Sequence, residues 1–357
     1  MLFKLTNELI DEGILNSKKE KVVRAIENIL RSVWESKHLM TAEIDVIIAL
    51  KNIITNPDCL SVLIDFENNY AFKNYDNIKY FVEIVASENT MQYETENDAQ
   101  KLVLSIDYFQ KSDLVSKTII LCEDEQDSLF FEQIARFFCL NHNININLSY
   151  SEENGGGVNT HKSFQKHIDK SEKFCLCFAD TDKKYPTDSI KETLHKLRSC
   201  NNSKHFCKLI ELEVHEIENL LPFNYLELIK NDSIIQLNGV AFINTIFQSY
   251  DSCFLQFLDI KKGIKVKEVK NNPDYFNFTK ILYSYCNNQH NINDIHSLND
   301  EIVLIPPVGK VIKVALSNLV IFNNNPQLLP FQNSEWNKIG SVFTFWTCAR
   351  IDELLNI

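Results

Sequence analysis

Between about residues 115 and 230 the chain alternates short apolar runs with amphipathic stretches, and this alternation restricts the fold more than any other feature. The apolar runs at 118–122, 144–148, 174–179 and 208–214 have strand character. Helical periodicity lies between them, near 126–140, 160–169 and 188–197. Strand, helix, strand, helix in this order predicts an α/β unit with a mostly parallel sheet and right-handed crossovers. Open sheets of that kind bind ligands at the carboxyl ends of their strands.

The flanks read differently. Residues 1–112 read as helical: 19–34 sets Val22, Val23, Ile26, Ile29, Leu30 and Val33 on one stripe, and Thr41 suits the N-cap of a following helix. The stretches 76–87 and 97–109 read as two more helices. Residues 231–357 read as mixed and mainly helical, with helices near 239–250 and 274–286 and a short strand near 301–306. The aromatic-rich tail at 335–350 suits docking on another layer. The expected organisation is therefore a helical region (1–112), an α/β domain (113–230) and a mixed, mainly helical region (231–357).

No stretch is long and apolar enough to cross a bilayer, and the N-terminus lacks the order of a signal peptide. The ten cysteines include no Cys-x-x-Cys pair. Cys122, Cys139, Cys175, Cys177 and Cys207 fall inside apolar patterns, as expected of reduced, buried residues in a cytoplasmic protein. A net charge of -12 argues against a protein that coats nucleic acid, because such coating rests on Lys and Arg. It leaves room for a nuclease, whose metal site is acidic until its cations arrive.

Two acidic clusters follow strand-like runs. In Glu123-Asp-Glu-Gln-Asp127, Glu123 and Asp127 are four apart and share a helix face once the helix has begun. Helix capping accounts for this cluster equally well. The second is Asp180-Thr-Asp182, for which an Asx-turn is the plain alternative. At one edge of one sheet the two clusters would form a hard-oxygen site for Mg2+, with Mn2+ as a substitute. Gly155, Gly156 and Gly157 allow close backbone approach to a phosphate, or simply form a flexible loop. Lys183 and Lys184 follow the second cluster, placed for a scissile phosphate or in a solvated turn. Lys261, Lys262, Lys265, Lys267 and Lys270 suit a backbone-binding arm or an exposed β-ribbon.

A Glu after a first strand, an Asp four residues on, and an Asp-x-Asp after a later strand together resemble the TOPRIM domain of topoisomerases, primases and OLD-like nucleases. The matching residues are Glu123, Asp127, Asp180 and Asp182, and the resemblance covers roughly residues 115–225. The glycine triplet and the Ile217-Glu-Asn219 element are similar to the OLD-like branch and to the TOPRIM effectors of PARIS-type phage defence. The resemblance implies a Rossmann-like sheet and a Mg2+-dependent nuclease cutting DNA or RNA. It makes Glu123, Asp180 and Asp182 catalytic, with Glu123, Asp127, Asp180, Asp182 and Glu218 holding metal. By position beside these residues, Lys183 joins the catalytic set, and Gly155, Gly156, Gly157, Lys183 and Lys184 are the expected contacts to nucleic acid. Such effectors work with an ATPase. This chain has no Gly-x-x-x-x-Gly-Lys-Ser/Thr loop, so the ATPase would be a separate protein. Homo-oligomerisation stays open, and no membrane partner is expected. The chain departs from the pattern at Asp124, where many members have glycine. The alternative is a non-catalytic sensor or interaction subunit that keeps the fold.

Overall fold

Tyr80-Phe-Val-Glu-Ile-Val85 alternates buried and half-buried positions and forms a strand, not the helix expected over 76–87. The run is aromatic and β-branched, a composition that fits a pleated surface better than a helix. In the computed structural model, which describes residues 1–72, 75, 77–96, 99–200, 206–286, 291–317 and 325–351, the N-terminal region is accordingly α/β. Its strands are β1 (Leu2–Leu5), β2 (Leu39–Ala42), β3 (Tyr80–Val85), β4 (Met91–Glu96) and β5 (Ala99–Ser105), in the order β2-β1-β3-β5-β4. All neighbours are parallel except the β4–β5 pair. The helical reading of 1–112 is corrected by these five strands. Thr41 lies in β2, and the helix that follows is capped at Glu43.

The helices of this region are α1 (Glu12–Trp34), α2 (Ile44–Lys51) and α3 (Pro57–Asn68). Asp11 caps α1 by accepting from the amides of Gly13 and Ile14. Its buried stripe includes Val22, Ile26, Ile29, Leu30 and Val33, four of them fully buried.

A second, four-stranded sheet follows. It contains β6 (Thr118–Cys122), β8 (Tyr150–Asn154), β9 (Cys175–Ala179) and β10 (Cys207–Glu211), all parallel, in the order β10-β9-β6-β8. The strand expected at 144–148 is displaced. β7 (Asn147–Leu148) instead pairs antiparallel with Cys348–Ala349. The sheet's edge is the polar Tyr-Ser-Glu-Glu-Asn run of β8, mostly exposed and without the apolar signature of an inner strand. Helices α4 (Glu125–Asn141), α5 (Thr160–Lys170) and α6 (Glu192–Cys200) connect the strands.

One core joins both sheets. Phe3 lies 6.4 Å from Phe174, and Tyr80 stacks at 5.3 Å on Trp346 of the last helix, Pro330–Thr347. That helix lies along α4 and comes so close that a Cβ on Gly340 would stand 2.6 Å from the Phe138 side chain. The five cysteines read as buried residues are buried. Among the described residues, no helix is long and apolar enough to cross a membrane.

Candidate metal centre

β6 ends at Cys122 and is followed by Glu123; β9, its hydrogen-bonded neighbour, ends at Ala179 and is followed by Asp180. From β6 the chain crosses to β8 on one side, then returns to β9 on the other. Connections that diverge in this way open a crevice at the carboxyl ends of the two central strands. Glu123, Asp127 and Asp180 line a cleft there of about 20 Å3, bounded by Phe131, Thr160 and Phe178. That is room for an ion or a water and not for a nucleotide.

Asp124 caps α4. Its carboxylate accepts from the Gln126 amide at 3.1 Å, while Asp127 accepts from the Asp124 amide at 3.1 Å. Capping therefore accounts for Asp124 and partly for Asp127, but Glu123 stands before the cap and takes no part in it. Asp182 has φ +52°, a left-handed conformation that an aspartate keeps only when its surroundings impose it. Here the Thr181 amide and hydroxyl both donate to Val214 O, at 3.0 and 2.7 Å, and the Asp182 amide donates to His215 O at 3.0 Å. These bonds extend the β9–β10 pairing past the strand ends and fix the Asp-x-Asp turn.

Among the described residues, no hydrogen bond or ion pair engages the carboxylates of Glu123, Asp180 or Asp182. Their proton affinities respond accordingly. Desolvation, then Asp182, raises Glu123. Desolvation together with Asp182, Glu123, Asp127 and Glu216 raises Asp180 well above the usual carboxylate range. Asp182 is raised by desolvation despite the positive groups of His215, Lys191 and Lys261. Asp127 is pushed up to about 6, mainly by desolvation.

The segment after β10 builds a second polar cluster. His215, Glu216, Glu218 and Asn219 are all buried. Asn219 organises the turn: its amide donates to Leu255 O and Leu258 O at 2.7 and 2.8 Å, and its oxygen accepts from the Glu216 amide at 2.8 Å. Glu218 is met by Lys261 Nζ at 2.9 Å. Burial and the Glu218 charge push Glu216 up to about 7. Burial alone would lower His215, but Asp259, Glu216 and Asp182 more than offset it and hold it raised.

The other candidate residues separate. The Gly155 amide donates to Cys122 O at 2.8 Å and the Gly156 amide to Asn154 Oδ1 at 2.8 Å, so neither is available to a phosphate. A Cβ on Gly155 would strike Thr160 at 2.3 Å, which makes that glycine a packing residue. Gly157, with φ +65°, is the member of the triplet beside the site: a Cβ there would stand 3.3 Å from Glu123 Oε1. Lys184 pairs with Glu268 at 3.0 Å and lies over the Tyr275 ring. Lys183 has no ion pair among the described residues. The lysines of 261–270 form no free arm, because Lys265 and Lys267 pair with Glu301, and Lys270 pairs with Asp300. Sequence reasoning did not identify Asp259 at all and did not place Lys261 in the site. Both reach it from a distant loop that carries no acidic motif.

No family model, curated protein or solved structure matches this chain.

Proposed function

We propose that the chain is a Mg2+-dependent nuclease of TOPRIM type, hydrolysing phosphodiesters of DNA or RNA at the crevice between β6 and β9. One observation supports the reading above others: Glu123, Asp180 and Asp182 gather at adjacent strand ends with no direct hydrogen bond or ion pair to their carboxylates among the described residues. Unpaired carboxylates held near one another are costly, and a cation among them removes the cost. An all-oxygen donor set fits a hard divalent ion. Glu123, Asp180 and Asp182 would hold it, with Asp127 beside them, while Glu218 is occupied by Lys261. When bound, such an ion supplies the charge that activates water and offsets the negative charge developing on phosphate oxygens.

The chain's own residues provide position and access. The bonds from Thr181 and Asp182 to Val214 and His215 hold the Asp-x-Asp turn in one geometry. Gly157 keeps the space beside Glu123 clear of a side chain. The cleft is too small for a nucleotide, so the nucleic acid would lie across its mouth with Lys183 at hand for a phosphate. Asp124, where glycine stands in the resembling domains, spends its side chain on the α4 cap.

A second reading, a non-catalytic sensor or interaction subunit, is favoured by the lysines. Lys184, Lys261, Lys265, Lys267 and Lys270 are all paired internally, so none of them is a free cation held ready for a polyanion. The nuclease would act in anti-phage defence under a separate ATPase, and the sensor or interaction subunit would belong to a defence complex. The test is cleavage of labelled single- and double-stranded DNA and RNA by the full chain with Mg2+ or Mn2+, alongside Glu123→Gln and Asp180→Asn. Cleavage that both variants keep in full would remove the metal centre from the mechanism. Mg2+ binding without cleavage, even with an ATPase partner identified by pull-down added, would establish the sensor reading.

A further inference from the structure

His215, Glu216 and Asp259 each offer a ligand atom, and these atoms all lie within 4.8 Å of one another. The three residues are buried, with exposures of 4%, 8% and 6%. His215 comes from the loop after β10 and Asp259 from the loop after the 3-10 segment Tyr250–Phe257, joined where the His215 amide donates to Gln256 O at 2.9 Å.

Both carboxylates are oriented by the backbone. Glu216 Oε1 accepts from the Lys261 amide at 3.2 Å, and Asp259 Oδ1 accepts from the Lys262 amide at 2.8 Å. The opposite oxygens meet only long ionic contacts. Glu216 Oε2 lies 3.3 Å from Lys261 Nζ, and Asp259 Oδ2 lies 3.7 Å from Lys262 Nζ and 3.8 Å from His215 Nε2. The imidazole turns Nε2 toward Asp259, while its Nδ1 is buried with no hydrogen-bond partner among the described residues. An orphaned ring nitrogen at this depth is costly. Carboxylates that ligate metals are commonly oriented by hydrogen bonds of this kind from the protein around them.

We propose that His215, Glu216 and Asp259 bind a single first-row divalent transition ion at a site separate from the all-carboxylate crevice. One imidazole and two carboxylates suit Mn2+ or Zn2+ better than Mg2+, which takes oxygen ligands. The lysines do not obstruct entry. Lys262 is 81% exposed and can swing into solvent, and Lys261 keeps Glu218 at 2.9 Å once Glu216 is engaged by metal. The site is tied to the crevice through the bond from the Asp182 amide to His215 O, yet the proposal does not depend on nuclease activity.

The test uses the full chain carrying Asp180→Asn, stripped with chelator and titrated with Mn2+ while the free ion is followed by electron paramagnetic resonance. One Mn2+ per chain is expected to bind, displaced by stoichiometric Zn2+ and not by equimolar Mg2+. Pulsed measurements on the bound ion should show nitrogen modulation from the imidazole. Adding Asp259→Asn should weaken binding at least about 10-fold, and adding Lys261→Met should tighten it. The nitrogen signal needs no second substitution, so it decides the matter even if a ligand variant folds poorly. Bound Mn2+ without nitrogen coupling, or an affinity unchanged by Asp259→Asn, overturns the assignment.

Discussion

Glu83 of the first sheet and Asp180 of the second both sit half-buried on or directly after parallel strands, yet their carboxyl groups respond in opposite directions. Burial would lift Glu83, but Lys4 at 3.0 Å and Lys101 at 3.0 Å more than offset it and hold it below the usual range. Asp180 has no such lysine and is raised. At the carboxyl ends of the first sheet, Thr6 Oγ1 donates to Ile84 O at 2.8 Å and Glu8 accepts from the Ala86 amide at 3.2 Å, beside an open cleft that Asp11, Lys18 and Glu88 also line. A carboxylate supplied with fixed cations holds a sheet together. Carboxylates gathered without them leave a place for a diffusible one. The difference separates scaffold from site more clearly than sheet topology does.

The sharpest way to break this contrast is to neutralise one residue of each kind and read activity. On the proposed nuclease reading, Asp180→Asn should lower Mg2+-dependent cleavage at least about 100-fold, whereas Glu83→Gln should leave the rate of the folded protein unchanged. Initial rates on a labelled oligonucleotide settle the point. Equal losses in both variants would mean that the two carboxylates do the same work.

Stability should respond the other way round. Glu83 is largely buried, with a side-chain exposure of 14%, and Glu83→Gln removes one of the carboxylates around Lys101, itself 12% exposed. Lys101 retains Glu94 at 3.1 Å, so the expected cost is about 2 kcal/mol, below that of a fully broken buried pair. The effect carries a pH signature. The folded-state pKa of Glu83 lies below its unfolded value of about 4.5, so its contribution is complete above that value and fades as pH falls through the folded one. Urea denaturation at pH 7 and pH 3 should show wild type ahead in the first and the two proteins converging in the second. A gap that persists at pH 3 would assign the loss to packing and not to charge.

The second sheet was legible because its inner strands are apolar runs bounded by helices. Glu123 and Asp180 were legible because each directly follows such a run. The strand β8 was not, since Tyr150-Ser-Glu-Glu-Asn154 is a polar edge, and the first sheet was not, since Tyr80–Val85 and Ala99–Ser105 were read as helices from apolar content alone. Asp259 and Lys261 stayed hidden for a different reason. Their roles depend on Asn219 holding the 255–258 loop against the turn after β10, a contact between segments about 40 residues apart that no local pattern encodes.

The smallest expected effect tests the contrast from the other side. Asp180 resists ionisation in the folded protein, chiefly through desolvation and then through Asp182 and its other acidic neighbours, whereas it ionises freely once unfolded. Its raised folded-state pKa therefore lowers stability above that pKa and ceases to matter below the unfolded value of about 3.8. In chelator at pH 7, Asp180→Asn should be the more stable protein by about 1 kcal/mol, the gain typical of relieving a functional site. Mg2+ should reverse the order. Wild type gains by mass action, about 2.7 kcal/mol at a hundred times the dissociation constant, and the variant gains little. Thermal melts with and without Mg2+ measure both halves. If the variant is no more stable in chelator and Mg2+ fails to separate the two proteins, then Asp180 is a structural carboxylate like Glu83, and the crevice between β6 and β9 holds no metal.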